Sequence, residues 1–420
     1  MRPILFKKRD AFTVYLIMEG AVALFFALVF TVNMIYQVTV VDLNPLQLVL
    51  VGTLLEITVF LFEVPTGVVA DARSRRLSVI VGMALIGIGF TIEGSIPRFG
   101  AVLLSQVFWG LGATFTSGAT QAWIADEVGE ERAAQAFMRG AQAGMIGGAV
   151  GIPISVGLGN LSLQLPIILG GLSFVGLAVF LALAMPEAGF RPLPPDERGS
   201  WHSMIGTFRA GAQMARGRPI LLTYLGVELV SGLYSEGLDR LWTAHLLKNF
   251  AFPALDGLKP VTWFGLIGIA SLALSAAATE IARRWLDTTN QRRVAQTLLA
   301  IHALTMAGIL VFALTSRFGV ALIALLGIGA LRRVTGPILT AWINPRIDSP
   351  VRATVFSMAG QVNAIGQIAG GPGVGYIGKA GSLRAALVTS GLLLAPVSGL
   401  FARAMREEQD TLALVGVTAE

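Results

Sequence analysis

Gly67-Val68-Val69-Ala70-Asp71-Ala72-Arg73-Ser74-Arg75-Arg76 separates two long apolar runs and concentrates charge in a short segment. A glycine lets a neighbouring helix approach closely, and an aspartate at a helix end can pair with an arginine. Such a pair can form in one conformation and break in another. Lys and Arg also accumulate at the cytoplasmic ends of membrane spans. The segment therefore predicts a cytoplasmic loop that sets topology and can switch between paired and unpaired states.

The composition is that of a membrane protein. The chain has 420 residues, of which 54% are hydrophobic and only 13% are charged, whereas soluble proteins average about 25% charged residues. The net charge of +6 is small and lies in loops, so it indicates topology and no nucleic-acid partner. The absence of cysteine excludes disulfides, thiolate catalysis and cysteine-based zinc sites. The basic N-terminus precedes an apolar run that is too long for a signal peptide.

Hydropathy over a window of about 19 residues predicts twelve spans. The predicted spans are 11–38, 46–68, 77–96, 101–124, 135–158 and 163–185, followed by 219–245, 261–284, 294–315, 319–342, 353–377 and 383–405. Arg332-Arg333 interrupts the tenth span, and the eleventh is rich in Gly and Gln. A hairpin in place of either pair of spans would change the count by two.

The basic residues support this map. Of the 31 Lys and Arg residues, 22 fall in loops assigned to the inside, six in loops assigned to the outside and three within spans. This asymmetry favours an even number of spans and both termini on the cytoplasmic side. We therefore expect a multi-pass protein that is embedded in the lipid bilayer.

Two halves of six spans flank the longest polar stretch. We predict an N-terminal bundle over 1–185, a cytoplasmic linker over 186–218 that contains an interfacial amphipathic helix, and a C-terminal bundle over 219–420. A faint repeat links the halves, because Ala122-Trp123-Ile124 in span 4 recurs as Ala341-Trp342-Ile343 in span 10.

The loop after span 2 resembles that of the major facilitator superfamily, whose pattern is Gly-x-x-x-Asp-Arg/Lys-x-Gly-Arg/Lys-Arg/Lys. Gly67, Asp71, Arg75 and Arg76 match it, whereas Ala72 replaces a base and Ser74 replaces the glycine. The resemblance implies an all-α membrane protein with 12 transmembrane helices in two pseudo-symmetric six-helix bundles. It also implies alternating access and a charge relay that acts as a cytoplasmic gate. The members of this gate are Gly67, Asp71, Arg75, Arg76 and Asp126.

The segment Glu63-Val64-Pro65-Thr66-Gly67, directly before this loop, resembles a bacterial branch that includes drug exporters. The resemblance therefore implies a location in the bacterial inner (cytoplasmic) membrane.

Polar residues within spans predict a substrate cavity, since an ionisable group at the bilayer centre costs about 2.5–3.5 kcal/mol on insertion scales and usually faces protein or water. In span 1, a narrow face combines aromatic and polar residues; its members are Tyr15, Glu19, Phe26, Phe30, Asn33 and Gln37. Span 7 repeats the pattern with Tyr224, Glu228, Ser235, Asp239 and Trp242. We predict proton coupling through Glu19, Glu63 or Glu228.

Span 10 contains the adjacent arginines Arg332 and Arg333 in its interior. Adjacent residues point about 100° apart, so one of Arg332 and Arg333 faces the cavity and the other a neighbouring helix. Arg333 shares a face with Thr340. A guanidinium is always protonated, which implies an anionic partner, either a protein carboxylate such as Glu19 or a substrate.

Two glycine-rich segments, in spans 5 and 11, are explained by close helix packing. The first lacks the Gly-Pro pair of an antiporter signature, and Gly366-x-x-x-Gly370-Gly371-Pro372 occurs in span 11 instead. The three histidines show no ligand spacing and no Walker loop is present, so the sequence predicts no metal, no other cofactor and no use of ATP.

Together these features predict a monomeric secondary transporter, which is not an enzyme, coupled to protons and exporting a small amphiphilic organic compound. Uptake or facilitated transport of an organic anion, with Arg332 or Arg333 as its anchor, is the alternative. A membrane-embedded lipid-modifying enzyme is a different class, and it would need a catalytic cluster that the sequence does not show.

Overall fold

The computed structural model describes residues 10–192, 218–253, 259–348 and 351–417, together with 194, 206 and 209, with side chains up to Arg406. The four continuous ranges fold entirely into helices and connecting loops. Their helices are α1 Ala11–Thr39, α2 Pro45–Ala72, α3 Arg75–Ser95, α4 Phe99–Thr116, α5 Ala119–Val128, α6 Glu130–Leu161, α7 Gln164–Ala184, α8 Pro219–Asn249, α9 Pro260–Trp285, α10 Gln291–Leu314, α11 Phe318–Ile343, α12 Arg352–Ala380, α13 Leu383–Leu392 and α14 Ala395–Val417, with a 3₁₀ turn at Asn344–Arg346.

The twelve predicted spans are confirmed. Helices α4 and α5 together form one span, broken at Ser117 and at Gly118, whose φ of 70° suits glycine. Helices α13 and α14 form another. Within the described ranges, ten spans are long and apolar enough to cross a membrane by composition alone. The other two are α8, which carries charged residues in its interior, and α12, which is rich in glycine and glutamine.

The two spans that the sequence left open are continuous helices. Helix α11 runs through Arg332 and Arg333 without a break, and α12 runs through Pro372. The hairpin alternative is therefore wrong for both, because each segment keeps its backbone hydrogen bonds within one helix, as a membrane span must.

Packing divides the chain into two compact units. Unit 1 comprises Met1–Leu43, Leu54–Met204 and Ala254–Gly268, and unit 2 comprises Asn44–Thr53, Ile205–Pro253 and Ile269–Glu420. Helices α2 and α9 are therefore each shared between the units. The predicted division at residues 185 and 219 stays a prediction, and the amphipathic helix of the linker lies outside the described residues.

In unit 1, small residues allow α1 and α6 to pack closely. A Cβ at Gly147 would overlap the carbonyl oxygen of Gly20, and one at Gly140 would lie 2.5 Å from the Tyr15 ring. Gly148, on another side of α6, meets no described atom within 4 Å. The packing interpretation of this glycine-rich segment is confirmed, except at Gly148 and at Gly144, where a Cβ would lie at an ordinary contact distance of 3.7 Å from Ala23.

In unit 2, glycines likewise allow α8 and α12 to pack closely. A Cβ at Gly366 would overlap the carbonyl oxygen of Leu229, and one at Gly370 would overlap that of Leu233. The glycines therefore bring the polar residues of α12 next to those of α8. The repeated tryptophans Trp123 and Trp342 occupy equivalent places at the ends of their spans, and each is only 1% exposed.

Candidate functional site

The charged loop after α2 forms the ion pairs that the sequence predicts. The guanidinium of Arg75 donates a hydrogen bond to Asp126 on α5, and its Nε lies 3.9 Å from Asp71. It also donates to the carbonyl oxygen of Ala122 (3.1 Å). One arginine thus links the end of α2 to the end of α5 within unit 1.

The other two members of the predicted gate have different surroundings. Arg76 donates to the carbonyl oxygen of Ala182 at 2.5 Å, at the end of α7, instead of joining the carboxylates. A Cβ at Gly67 would meet no described atom within 4 Å. No close approach that requires glycine is seen at Gly67 within unit 1, and its role in the gate stays a prediction.

A short segment that the sequence analysis missed closes over this loop. We call residues 186–190, directly after α7, the strap. Glu187 accepts hydrogen bonds from the Ser74 hydroxyl (2.7 Å) and from the backbone N–H of Arg76 (2.9 Å). Ser74 is also the N-cap of α3, accepting from the N–H of Leu77 (2.9 Å). A serine in place of the family's glycine is thus explained by its two hydrogen bonds.

Helix α5 holds the other edge of the strap. The Trp123 indole donates to the carbonyl oxygen of Pro186 (2.7 Å), and a Glu127 carboxylate oxygen accepts from the N–H groups of Ala188 and Gly189, both at 2.6 Å. The ring of Phe190 lies 5.9 Å from the Arg75 guanidinium, in reach of a cation–π contact. Arg75 is therefore enclosed by the loop, by α5 and by the strap.

The predicted polar face of α1 does not form a single cavity wall. Tyr15, Asn33 and Gln37 are 5%, 4% and 1% exposed, so their assignment to a cavity is wrong for this structure. Tyr15 packs into the space above Gly140, and the two amides hydrogen-bond within unit 1. Helices α3 and α6 supply the neighbours of these residues, which a single-helix pattern cannot show.

The middle of that face is aromatic and partly open. Phe26 and Phe30 stack with ring centroids 5.4 Å apart, and Phe30 also lies 5.0 Å from Trp109 and 5.7 Å from Phe90. Phe30 is 42% exposed. Unit 1 therefore presents an aromatic face. The predicted proton carriers differ in exposure, since Glu19 is half-buried and Glu63 is exposed.

Unit 2 contains a polar cavity of about 270 Å³, close to the lower end of ligand pockets. Its lining comes from α8, α10, α11 and α12: Glu228, Ser231, Tyr234, Ser235, His302, Thr305, Arg332, Thr335, Gly336, Leu339, Asn363 and Gln367. Glu228, Ser235 and Arg332 belong to the set predicted from the sequence. The hydroxyls and amides were missed, because polar uncharged residues in a span carry little signal on their own.

Arg332 is the arginine that faces this cavity. Its guanidinium binds Asp239 through two hydrogen bonds, of 2.5 and 2.8 Å, and lies 5.6 Å from the ring of Tyr234. The carboxylate partner is therefore Asp239 of the same unit and not Glu19. Arg333 and Thr340 are exposed.

Three other residues predicted for this cavity do not line it: Tyr224, Trp242 and Asp239, the partner of Arg332. Tyr224 is only 4% exposed and packs edge-on against Phe356, so its place in a cavity is corrected to the core of unit 2. Trp242 lies half-buried one helical turn beyond Leu238.

Glu228 takes part in a chain of amides across the cavity. Asn363 Nδ2 donates to the Glu228 carboxylate (2.9 Å) and to its backbone carbonyl (3.2 Å). Gln367 Nε2 donates in turn to Asn363 Oδ1 (2.9 Å). This series of hydrogen bonds stabilises the Glu228 carboxylate, in the same cavity as the neutralised Arg332. The cavity thus offers hydrogen bonds and a carboxylate, with the positive charge of Arg332 already compensated.

Glu93 of α3, which was not predicted from the sequence, is a fully buried carboxylate in unit 1. The rule that singled out Glu19 applies equally to this residue, because it is an ionisable group within an apolar span. Its polar neighbours lie on other helices, so only the folded chain shows what surrounds it.

Known proteins share this architecture. Residues 18–371 match the family described as the Major Facilitator Superfamily. An uncharacterized MFS-type transporter of Bacillus subtilis (strain 168), YxaM, is 22% identical over 358 residues, which cover 84% of this chain and 86% of the relative. The nucleoside transporter NupG has a TM-score of 0.71 at 15% identity, with 95% of this chain and 99% of that chain covered. The human organic anion transporter MFSD10 (TETRAN) has a TM-score of 0.57 at 18% identity, with 94% and 99% covered.

The twelve spans and their polar and aromatic sites define a membrane-embedded carrier of small molecules. The chain belongs to the major facilitator superfamily, because the family matches most of its length. It is therefore a secondary transporter with a small-molecule substrate. At the identities above, the likeness to solved structures shows the fold alone.

Arg332→Ala and Arg333→Ala form a matched pair that tests which arginine is structurally engaged. We expect Arg332→Ala to lower stability by at most about 3 kcal/mol, below the range for a fully buried pair, because Arg332 and Asp239 are 30% and 47% exposed. Adding Asp239→Asn should restore part of the loss. Thermal unfolding in detergent measures both effects. Equal destabilisation by Arg333→Ala would contradict the assignment.

Proposed function

We propose that this transporter exports a small amphiphilic organic compound in exchange for protons, by alternating access. The observation that carries the proposal is the cavity of unit 2, where Arg332 is neutralised by Asp239 while the Glu228 carboxylate accepts a hydrogen bond from the neutral amide of Asn363. Such a lining favours a cationic substrate or a neutral one that forms hydrogen bonds. The aromatic face around Phe30 supports an apolar or aromatic portion in the same substrate.

Transport of an organic anion is the second candidate, and Arg332 is the observation that favours it. An anionic substrate would have to compete with Asp239 for the same guanidinium, which already forms two hydrogen bonds. The competition lowers the net gain from binding an anion. MFSD10 is named an organic anion transporter and NupG a nucleoside transporter. Both substrate classes therefore belong in the compound panel that tests the proposal.

We further propose that Glu19 exchanges the transported proton. Its half-buried place in α1 lets it meet both water and protein, whereas Glu63 is exposed. Glu228, which lines the cavity and accepts a hydrogen bond from Asn363, is the second candidate for this role.

Uptake of a panel of cationic, neutral and anionic compounds into proteoliposomes, with and without an imposed pH gradient, tests both proposals. The wild-type protein is expected to accumulate a cationic or neutral amphiphile only with the gradient. Glu19→Gln should abolish gradient-driven accumulation and leave downhill exchange in part, because a glutamine cannot carry a proton. Glu131→Gln, which removes an exposed carboxylate of α6, is the control. Full accumulation by Glu19→Gln would transfer the role to Glu228, and accumulation of anions alone would refute export of a cation.

We propose that Arg75, its two carboxylates and the strap act together as a cytoplasmic gate. The pair with Asp71 is long and partly exposed, with 38% of the Asp71 side chain accessible, so it is worth at most about 1 kcal/mol. An interaction of that size suits a contact that breaks in each transport cycle. The strap adds contacts that a loop alone would lack.

Asp71→Asn and Glu187→Ala test this gate. Each is expected to lower the transport rate several-fold while expression and unfolding temperature stay near those of the wild type, because populations shift and the fold remains. Chymotrypsin should also cut faster after Phe190 in Glu187→Ala, since a protease needs a freed, extended segment. Glu131→Ala is the matched control. Wild-type transport in both variants would leave the loop with a topological role alone.

We propose that both termini lie on the cytoplasmic side of a bacterial inner membrane, on the strength of the basic asymmetry among loops. The chain has no native cysteine, so single cysteines report accessibility cleanly. Thr288→Cys, in the exposed loop between α9 and α10, should react with an impermeant maleimide only from inside. Ser316→Cys, in the exposed loop between α10 and α11, should react only from outside. The reverse pattern would invert the topology.

A further inference from the structure

A closed polar cluster lies inside unit 1, where α1, α3 and α4 meet. At its centre is Glu93, which is 0% exposed. The surrounding side chains of Asn33, Gln37, Ser105 and Gln106 are each at most 4% exposed. The cluster is distinct from the cavity of unit 2, and the mechanism proposed above does not use it.

The Glu93 carboxylate accepts hydrogen bonds from the side chains of α1 and α4. Gln37 Nε2 donates to Oε1 (2.7 Å), and Oε2 accepts from the Ser105 hydroxyl (2.7 Å) and from Gln106 Nε2 (3.5 Å). In addition, the Tyr36 hydroxyl donates to the backbone carbonyl of Glu93 (2.7 Å). This set of donors stabilises the ionised form of Glu93.

The side-chain amides of Gln37 and Gln106 each have an oxygen that accepts no hydrogen bond. Gln37 Oε1 and Gln106 Oε1 are buried without a hydrogen-bond partner, an arrangement that is unfavourable in a protein interior. The oxygen and nitrogen of an amide exchange places when the group turns by about 180°, with almost no change in shape. After such a turn, Gln37 Oε1 would occupy the place of Nε2 and could accept the proton of a neutral Glu93 carboxyl group.

Asn33 can follow this turn. Its Oδ1 accepts from Gln37 Nε2 (2.6 Å) in the structure, so a turned Gln37 would place an oxygen against that oxygen. Turning Asn33 as well would present its Nδ2 as the donor. The two amides therefore allow the cluster to hydrogen-bond either form of Glu93 without moving a helix.

Three helices beside the cluster differ in the ionisable groups they carry. Tyr36 of α1 donates to Glu93, and the sequences of α4 and α7, which pack against α3, contain no ionisable residue. Helix α2, which contacts α4, carries the half-buried Glu56. Asp126 and Glu127 of α5 lie near Arg75 and the strap, at the other end of α3. Beyond α3, Arg98 is exposed.

We propose that Glu93 is a second proton-binding site, loaded and unloaded as the amides of Gln37 and Asn33 turn. A buried carboxylate surrounded by four polar side chains is costly as a packing device, since an apolar set of similar volume is often at least as stable. Glu93 lies two residues before the end of α3, and the loop that follows carries the exposed, charged Arg98, so water can reach this end of the helix. Proton binding itself stands on this geometry, and only its use in transport rests on the proposed function.

Infrared difference spectroscopy of the full-length protein in lipid tests the site directly, through the C=O stretch of a protonated carboxyl group recorded across a pH titration. The wild-type protein is expected to gain this band as the pH falls, and Glu93→Gln to lack it. Glu19→Gln removes another carboxyl group of unit 1 and should keep the Glu93 band. Size-exclusion chromatography checks that each variant is folded.

Ser105→Ala keeps Glu93 and supplies a second, independent measurement. Loss of one donor to the carboxylate favours the neutral form, so the band should persist to a pH that is higher by about one unit. If Glu93→Gln keeps every carboxyl band of the wild-type titration, Glu93 is a purely structural residue. The same conclusion follows if Ser105→Ala does not shift the pH at which the band appears. If the bands behave as expected but no gradient-driven transport is observed, the proposed function is refuted, whereas the proton-binding site at Glu93 is still supported.

Discussion

The cost of placing charge in hydrocarbon is the constraint on which this structure depends. A charged group within a span must find protein partners or a water-lined cavity. Arg332 binds Asp239 through two hydrogen bonds, and the buried Glu236 binds Arg240 one turn away (3.0 Å). Glu93 is surrounded by donors. Each interior charge therefore fixes the orientation of its helix and of the helices that supply its partners.

Glycine determines where those partners can meet. At Gly366 and Gly370 the backbone of α12 touches α8 so closely that no side chain would fit. The same approach brings Asn363 within hydrogen-bonding distance of Glu228. Helices that pack through small residues thus place their polar groups at short range, and the apolar exterior remains in contact with lipid. The glycines of α12 therefore account both for the close packing of α8 and α12 and for the polar groups that meet in the cavity of unit 2.

Near Arg75, tertiary contacts give the family loop a partner that its motif does not contain. The motif supplies the arginine and one aspartate, and α5 supplies the other. The strap then covers them, with Glu187 at the start of α3 and Phe190 over the guanidinium. A serine at position 74 suits this arrangement because it both caps the helix and donates to the strap. The departure from the family pattern is therefore local adaptation, and the loop keeps its ion pairs.

The sequence by itself determined the membrane class, the twelve spans, the family and the carboxylates that pair with Arg75. These follow from hydropathy, charge asymmetry and spacing along the chain, which are local properties. Only the tertiary structure decided that Arg332 and not Arg333 lines the cavity, and that Asn33 and Gln37 are buried around Glu93. Helical periodicity shows which residues share a face. Which neighbouring helix covers that face depends on contacts between residues far apart in the chain, and those contacts arise only when the helices pack.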